Sequence, residues 1–297
     1  FNDIIRDGLK GSVFDMSGTG FVSGGFKCDA AVYVGAAGAT DAIKSTVYKT
    51  LGSDKGAFAA SPTQSVNYVG CHDNSTLWDK LSASVEATED VRKAMNRLSA
   101  VAVMTSQGPS FFLAGEEMLR SKPTTATNNY DNRPTASLND STYYFSDNSY
   151  KSPDSVNAID WTKATTNADM VAFYKGLIQL KKQMPVFGID DADELKASRV
   201  MIDDNYEDSV AVYAVCVPDS DIYAIVILNA NETAATVALP EGSFNVYLNG
   251  DKIALSEQQP LSTAKASVSV GAYSAVIMVG QVSSTNIKAW TYDVTVA

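Results

Sequence analysis

Between Val66 and Cys71 the chain is apolar apart from Asn67, with β-branched and aromatic residues, and it turns polar abruptly at His72-Asp73-Asn74. That contrast predicts a buried strand over about Ser65–Cys71 that delivers polar side chains at its C-terminal end. Thr88 is a natural N-cap, followed by the acidic Glu89 and Asp90, which favour a helix start. The helix it opens carries Val91, Met95, Leu98 and Ala102 on one face and runs to about Met104. Gly108-Pro109 breaks the pattern, and Ser110–Leu113 is a second strand-like run ending in Gly115-Glu116-Glu117. Strand, helix, strand at this spacing is a βαβ unit with a parallel sheet.

The flanking regions differ in pattern. Residues 1–64 are irregular apart from a short helix expected over Asp41–Leu51, where Ile43, Val47 and Leu51 recur at every fourth position. Residues 119–160 are rich in Ser, Thr, Asn, Asp and Tyr without periodicity; a loop of that length in a compact domain is usually functional or disordered. Asp169–Met184 is a second amphipathic helix, with Met170, Phe173, Leu177, Leu180 and Met184 inward, stopped by Pro185. Beyond it, Val210–Val217, Ile222–Leu228, Phe244–Leu248 and Ala275–Val279 alternate with turns, and Asn249-Gly250 marks a hairpin. This predicts an antiparallel β-sandwich. The expected division is therefore 1–190, 191–280, and a polar stretch 281–297 that trails or begins a further module. The acidic run Asp190-Asp191-Ala192-Asp193-Glu194 reads as a solvated linker rather than a calcium site.

Length and charge narrow the function. At 297 residues two domains are expected. A net charge of −11 and a pI near 4.6 argue against a nucleic-acid partner, whose phosphates need Lys and Arg. No apolar run approaches the ~20 residues that span a bilayer. Cys28, Cys71 and Cys216 are scattered and odd in number, which suggests neither a disulfide framework nor a metal cluster; no cofactor is expected, and calcium is not indicated. The opening Phe1-Asn2-Asp3-Ile4-Ile5-Arg6-Asp7 reads as the tail of a strand, so a fragment or processed product is expected. His72 is the sole histidine. An imidazole beside a carboxylate at a strand end suits catalysis in an α/β barrel, and it equally suits a satisfied surface His beside a turn.

The wider segment Tyr68-Val69-Gly70-Cys71-His72-Asp73-Asn74-Ser75-Thr76-Leu77-Trp78-Asp79-Lys80 resembles the fourth signature region of the α-amylase family, glycoside hydrolase family 13, with Leu77-Trp78-Asp79-Lys80 similar to its debranching, pullulanase-type branch. Four further segments agree in order: Phe1–Gly11, Pro109–Glu117, Asn148–Asp154 and Val156–Trp161. The resemblance covers residues 1 to about 190. It implies the C-terminal portion of a (β/α)8 TIM barrel followed by the β-sandwich, and a retaining hydrolase cutting α-1,6-glucosidic bonds in pullulan, starch or related branched glucans. It further implies Asp73 as the third carboxylate, stabilising the transition state, His72 as a donor to the same sugar, and Asn74, Trp78, Asp79, Asn148 and Tyr150 as substrate-binding. Trp78 serves equally well as core packing.

The family's nucleophile and general acid belong on strands preceding Phe1, and neither motif occurs here. Glu116-Glu117 resembles a framework feature, and Asn2, Asp3, Arg6 and Asp7 a structural polar network. Since a third of a barrel leaves strand edges unpaired, a companion polypeptide carrying the N-terminal part of the barrel is expected, besides the α-glucan. A polymeric substrate implies an extracellular or cell-surface location. The alternatives are a non-catalytic glucan-binding accessory protein, or another activity of the family such as an α-1,4 amylase or isoamylase.

Overall fold

Alternate residues of two central strands face different layers, and this sets the architecture. The computed structural model describes residues 1–297 apart from 54–55, 126–133, 137–143, 202–204 and 257–258; for 134–136 and 199–201 it describes the backbone alone. The helices are α1 (Asp3–Lys10), α2 (Ala30–Ala36), α3 (Ser45–Thr50), α4 (Leu77–Ser84), α5 (Glu89–Thr105), α6 (Asp154–Asn157), α7 (Lys163–Thr166), α8 (Ala168–Gln183), α9 (Ala192–Ser198) and α10 (Ser284–Ala289). A small sheet of β1 (Pro123–Thr124), β2 (Pro134–Ala136) and β3 (Tyr144–Ser146) has the order β1-β3-β2. It gives part of the 119–160 stretch a framework.

The main sheet has seven strands: β4 (Arg199–Met201), β5 (Val210–Cys216), β6 (Ile222–Asn229), β8 (Ser243–Asn249), β9 (Lys252–Ile253), β10 (Ser262–Ala264) and β12 (Ser274–Gln281). Its order is β10-β8-β12-β6-β5-β4, with β9 beside β8, and every pairing is antiparallel. Asn249 lies opposite Lys252, so the hairpin turns at Gly250-Asp251, where Gly250 has φ +65°. A second sheet joins β7 (Ala235–Ala238), β11 (Ser267–Val270) and β13 (Val294–Val296) in the order β11-β7-β13. Val210, Val212 and Ala214 of β5 and Tyr223, Ile225 and Ile227 of β6 pack toward this second sheet. Ala211, Tyr213 and Val215, with Ala224, Val226 and Leu228, pack instead among the helices. Both faces are therefore buried, which explains why these strands read as continuous apolar runs. The β-rich C-terminal region is as expected. Residues 281–297 take part in it: β13 pairs with β7, and the Trp290 indole, buried, donates to Ala238 O at 2.9 Å.

The helices match the periodicity closely. Thr88 Oγ1 accepts from Val91 N at 3.3 Å, and α5 runs to Thr105. Helix α8 buries Met170, Phe173, Leu177 and Leu180 and ends before Pro185. The helix expected over Asp41–Leu51 shortens to α3. The strands expected at Ser65–Cys71 and Ser110–Leu113 are corrected: they are extended segments sharing one parallel bridge, Asn67 to Ser110. Asn67 N donates to Pro109 O and Phe111 N to Asn67 O, each at 2.9 Å, while Asn2 N donates to Val66 O at 2.8 Å. Each segment soon leaves extended conformation, at Asn74 (φ +59°) and Gly115 (φ +94°), so no ladder develops. The parallel sense agrees with the predicted βαβ order; a closed barrel is not present among the described residues.

Candidate active-site loops

The extended segment 66–70 delivers its polar residues onto a bend. Asn74 takes the left-handed conformation, which Asn tolerates better than most residues. Thr76 then caps α4, its Oγ1 accepting from Asp79 N at 3.1 Å. His72 and Asp73 are largely exposed, with side chains 89% and 61% accessible, and His72 Nε2 lies 3.5 Å from Asp73 Oδ1. An exposed imidazole and a carboxylate side by side offer a donor and an acceptor to a ligand's hydroxyl groups.

The bend is gripped from below by buried lysines. Lys122, 1% exposed, donates from Nζ to His72 O and to Asn74 O, both at 2.7 Å. Lys10, equally buried, donates to Ser75 O at 3.3 Å, while the buried Lys80 reaches away from the bend to donate to Asp15 O. Burial lowers the pKa of all three; for Lys10 and Lys80 it falls to about 8. Glu116 lies beneath the segment 66–70 and is 4% exposed. A side chain at Gly70 would approach Glu116 Oε2 to 3.0 Å, so glycine admits the carboxyl there. Burial pushes the Glu116 carboxyl up to about 8, with Lys10 and the Tyr174 hydroxyl pulling the other way. Tyr174 donates to Glu116 Oε1 at 3.3 Å. Glu117 Oε2 instead accepts from Gly115 N at 3.0 Å.

The other expected residues fall in distinct places. Asp79 is fully buried, and its Oδ2 accepts from Lys122 N at 2.9 Å, so it ties the loop to the 120s rather than facing solvent. Trp78 is half-buried against the core, with the Arg92 guanidinium 5.2 Å from its ring centroid. Asn148 and Tyr150 lie on a second loop, where Tyr150 N donates to Asn148 Oδ1 at 3.3 Å and Tyr150 is 80% exposed. Tyr130 and Tyr143 of the same stretch lie outside the described residues. Arg6 bonds Asp3, Asp7 and Tyr68, while Asn2 is buried separately with Ser65 and Asn67. No group of His, Cys, Asp and Glu suited to a metal ion occurs among the described residues, and no described helix is long and apolar enough to cross a membrane.

Sequence reasoning missed Lys122, and it placed Lys10 and Lys80 inside family-like segments without giving either a role. A lysine is exposed by default, and nothing in the spacing of Leu119-Arg120-Ser121-Lys122 distinguishes a buried ammonium from a surface one.

No family model matches the chain. It is 33% identical over 197 residues to a pullulanase of Bacillus subtilis, covering 66% of this chain and 23% of that protein. It is 30% identical over 293 residues to pullulanase A of Streptococcus pneumoniae, covering 87% and 22%. Among solved structures, a pullulanase from Bacillus acidopullulyticus superposes with a TM-score of 0.76 at 31% identity, over 95% of this chain and 30% of that one. The pullulanase of Paenibacillus barengoltzii, in complex with maltohexaose and α-cyclodextrin, gives 0.74 at 32%, over 95% and 38%. The chain thus spans about a quarter of the length of the curated relatives it matches. Over most of its own length it is similar to part of the pullulanases, and the likeness is consistent with glycoside hydrolase family 13.

Proposed function

We propose that this chain is the C-terminal part of a pullulanase-type retaining hydrolase that cleaves α-1,6-glucosidic bonds in branched glucans. The observation that carries the reading is the exposed His72–Asp73 pair, 3.5 Å apart, on a bend pinned by a buried ammonium. Retaining hydrolysis uses a nucleophile and an acid–base carboxyl about 5–5.5 Å apart and passes through an oxocarbenium-like state. In this proposal Asp73 is a third carboxylate, accepting from hydroxyls whose protons grow more acidic as positive charge builds on the ring, so its bonds strengthen in the transition state. His72 donates to a hydroxyl of the same sugar. Asn74 and Trp78 line the neighbouring wall, Asn148 and Tyr150 supply the second loop, and Asp79 acts from beneath by holding Lys122.

In the same reading, residues 1–190 are the closing part of a (β/α)8 barrel, supported by the parallel bridge between Asn67 and Ser110 and by the bond from Asn2 N to Val66 O beside it. The sandwich that follows begins at about residue 191 and takes in β13, beyond the boundary at 280 expected from the sequence. A barrel needs eight strands, so the nucleophile, the acid and the earlier strands come from elsewhere in a longer or companion polypeptide. A polymeric glucan would be met outside the cell. In the intact enzyme Asp73→Asn should lower kcat on pullulan by about 100-fold or more, the usual worth of such a stabiliser. Near-normal turnover would sink the assignment.

A further inference from the structure

We propose that Arg120 and Lys122 form a single brace that sets the two candidate substrate loops relative to each other, which makes both of them positioning residues for the reaction proposed above, on which this inference rests. The two loops are held by the same device. Lys122 Nζ takes the carbonyls of His72 and Asn74, so the residue between them, Asp73, is fixed on both sides. On the second loop Asn157 Nδ2 takes the carbonyls of Ser149 and Ser152, at 2.9 and 3.0 Å, and these flank Tyr150. Arg120 Nη2 in turn donates to Asn157 O at 2.8 Å, and its Nη1 to Ala114 O at 3.1 Å. The two basic residues are thus two positions apart on one short segment, and each secures one loop.

The segment is itself anchored at its backbone. Lys122 N donates to the buried Asp79, and Ser146 N donates to Lys122 O at 2.8 Å, at the start of the β1–β3 pairing that leads into Asn148. Leu119 is held at φ +62°, and a Cβ on Gly115 would approach Arg120 Cβ to 2.9 Å, so the preceding turn is tight. Stability alone does not explain the choice of residues. Burying an ammonium against neutral carbonyls costs more than burying an apolar chain of the same length. What Lys122 adds over methionine is direction: two donors aimed at two carbonyls.

The test uses the intact enzyme. Lys122→Met should lower kcat by about 100-fold, as misplacement of a reacting group by ~1 Å does. Its KM for a short branched oligosaccharide should stay within about threefold, because uniform binding is untouched. Arg120→Met should weaken the second loop, and the double variant should lose much less than the product of the two single losses, as groups acting as one unit do. Lys122→Met with kcat within about threefold of wild type, alongside an inactive Asp73→Asn, overturns the brace and leaves the reading of Asp73 intact.

Hydrogen exchange separates the two questions in the other direction. Lys122→Met should speed amide exchange about tenfold both at 72–76 and at 149–152; a change confined to 72–76 overturns the brace whatever the reaction. Should Lys122→Met not fold, Arg120→Lys keeps the charge and loses the fork. It should speed exchange on both loops, and an effect confined to 149–157 overturns the proposal equally.

Discussion

Glu116 sits in an environment far from the one its type prefers. It is a carboxyl beneath the His72 bend, raised to about 8 chiefly by burial. An acid whose folded pKa exceeds its unfolded value of about 4.3 binds its proton more tightly when native. Its contribution to stability is therefore complete below pH ~4.3 and is lost as pH rises through about 8. Glu116→Gln removes that dependence. Relative to wild type it should gain on the order of 1–3 kcal/mol between pH 5 and pH 8, since the variant never has to bury a charge. Thermal denaturation of both proteins at several pH values checks this; a constant difference in Tm across the range would contradict it. At this scale the sequence was readable where chemistry clusters. His72-Asp73-Asn74 stands out because polar residues interrupt an apolar run. The supporting Lys10 and Lys122 do not, because burial of a lysine is set by partners distant in sequence, 65 residues away for Lys10 and about 50 for Lys122. Asp79 shows the same limit, since its motif marks it as important without telling a wall from a foundation.

Elements follow the pattern of the chain where burial is one-sided. Helices α5 and α8 were legible to within a residue or two, because a helix with one apolar stripe advertises its period. The segments 65–71 and 110–113 were legible as extended but not as strands, since pairing depends on neighbours that periodicity does not reveal. Close packing between elements is equally hidden. Helix α2 meets the end of α5 at Gly35, where an added Cβ would lie 2.2 Å from Ser106 Oγ and 2.5 Å from Ile5 Cδ1. Gly35→Ala should thus destabilise by about 1–3 kcal/mol despite alanine's better helix propensity. Chemical denaturation measures it; a gain in stability would mean that the helices can slide apart freely.

Across the whole molecule, the main sheet belongs to both halves. Its inner face shares one core with α5 and α8, and its outer face shares another with the β7 sheet. The halves are also joined by polar contacts: Val212 N donates to Tyr33 Oη at 3.0 Å, and Tyr213 Oη to Thr105 O at 3.2 Å. Tyr33→Phe, which strips the acceptor from a buried amide, should cost about 1–3 kcal/mol. Unfolding should be one cooperative transition, with near-ultraviolet and far-ultraviolet signals falling together; two resolved transitions would show that the halves melt independently. The β-rich character was legible from the alternation of strands and turns. The shared core was not, because a strand apolar on both faces does not say what covers either of them.

A seam that looks natural on paper, near residue 190, consequently runs beside a welded joint. Anyone exchanging the main sheet between relatives, to graft it from one protein onto the helices of another, would cut through a surface on which Tyr33 and Thr105 read the register of a strand far along the chain. Shuffled hybrids should survive when the crossover carries Tyr33, the α5 face and the sheet from the same parent, and should fail when it separates them. The unit of inheritance in this molecule is the layer and its cover, not the stretch of sequence between two linkers.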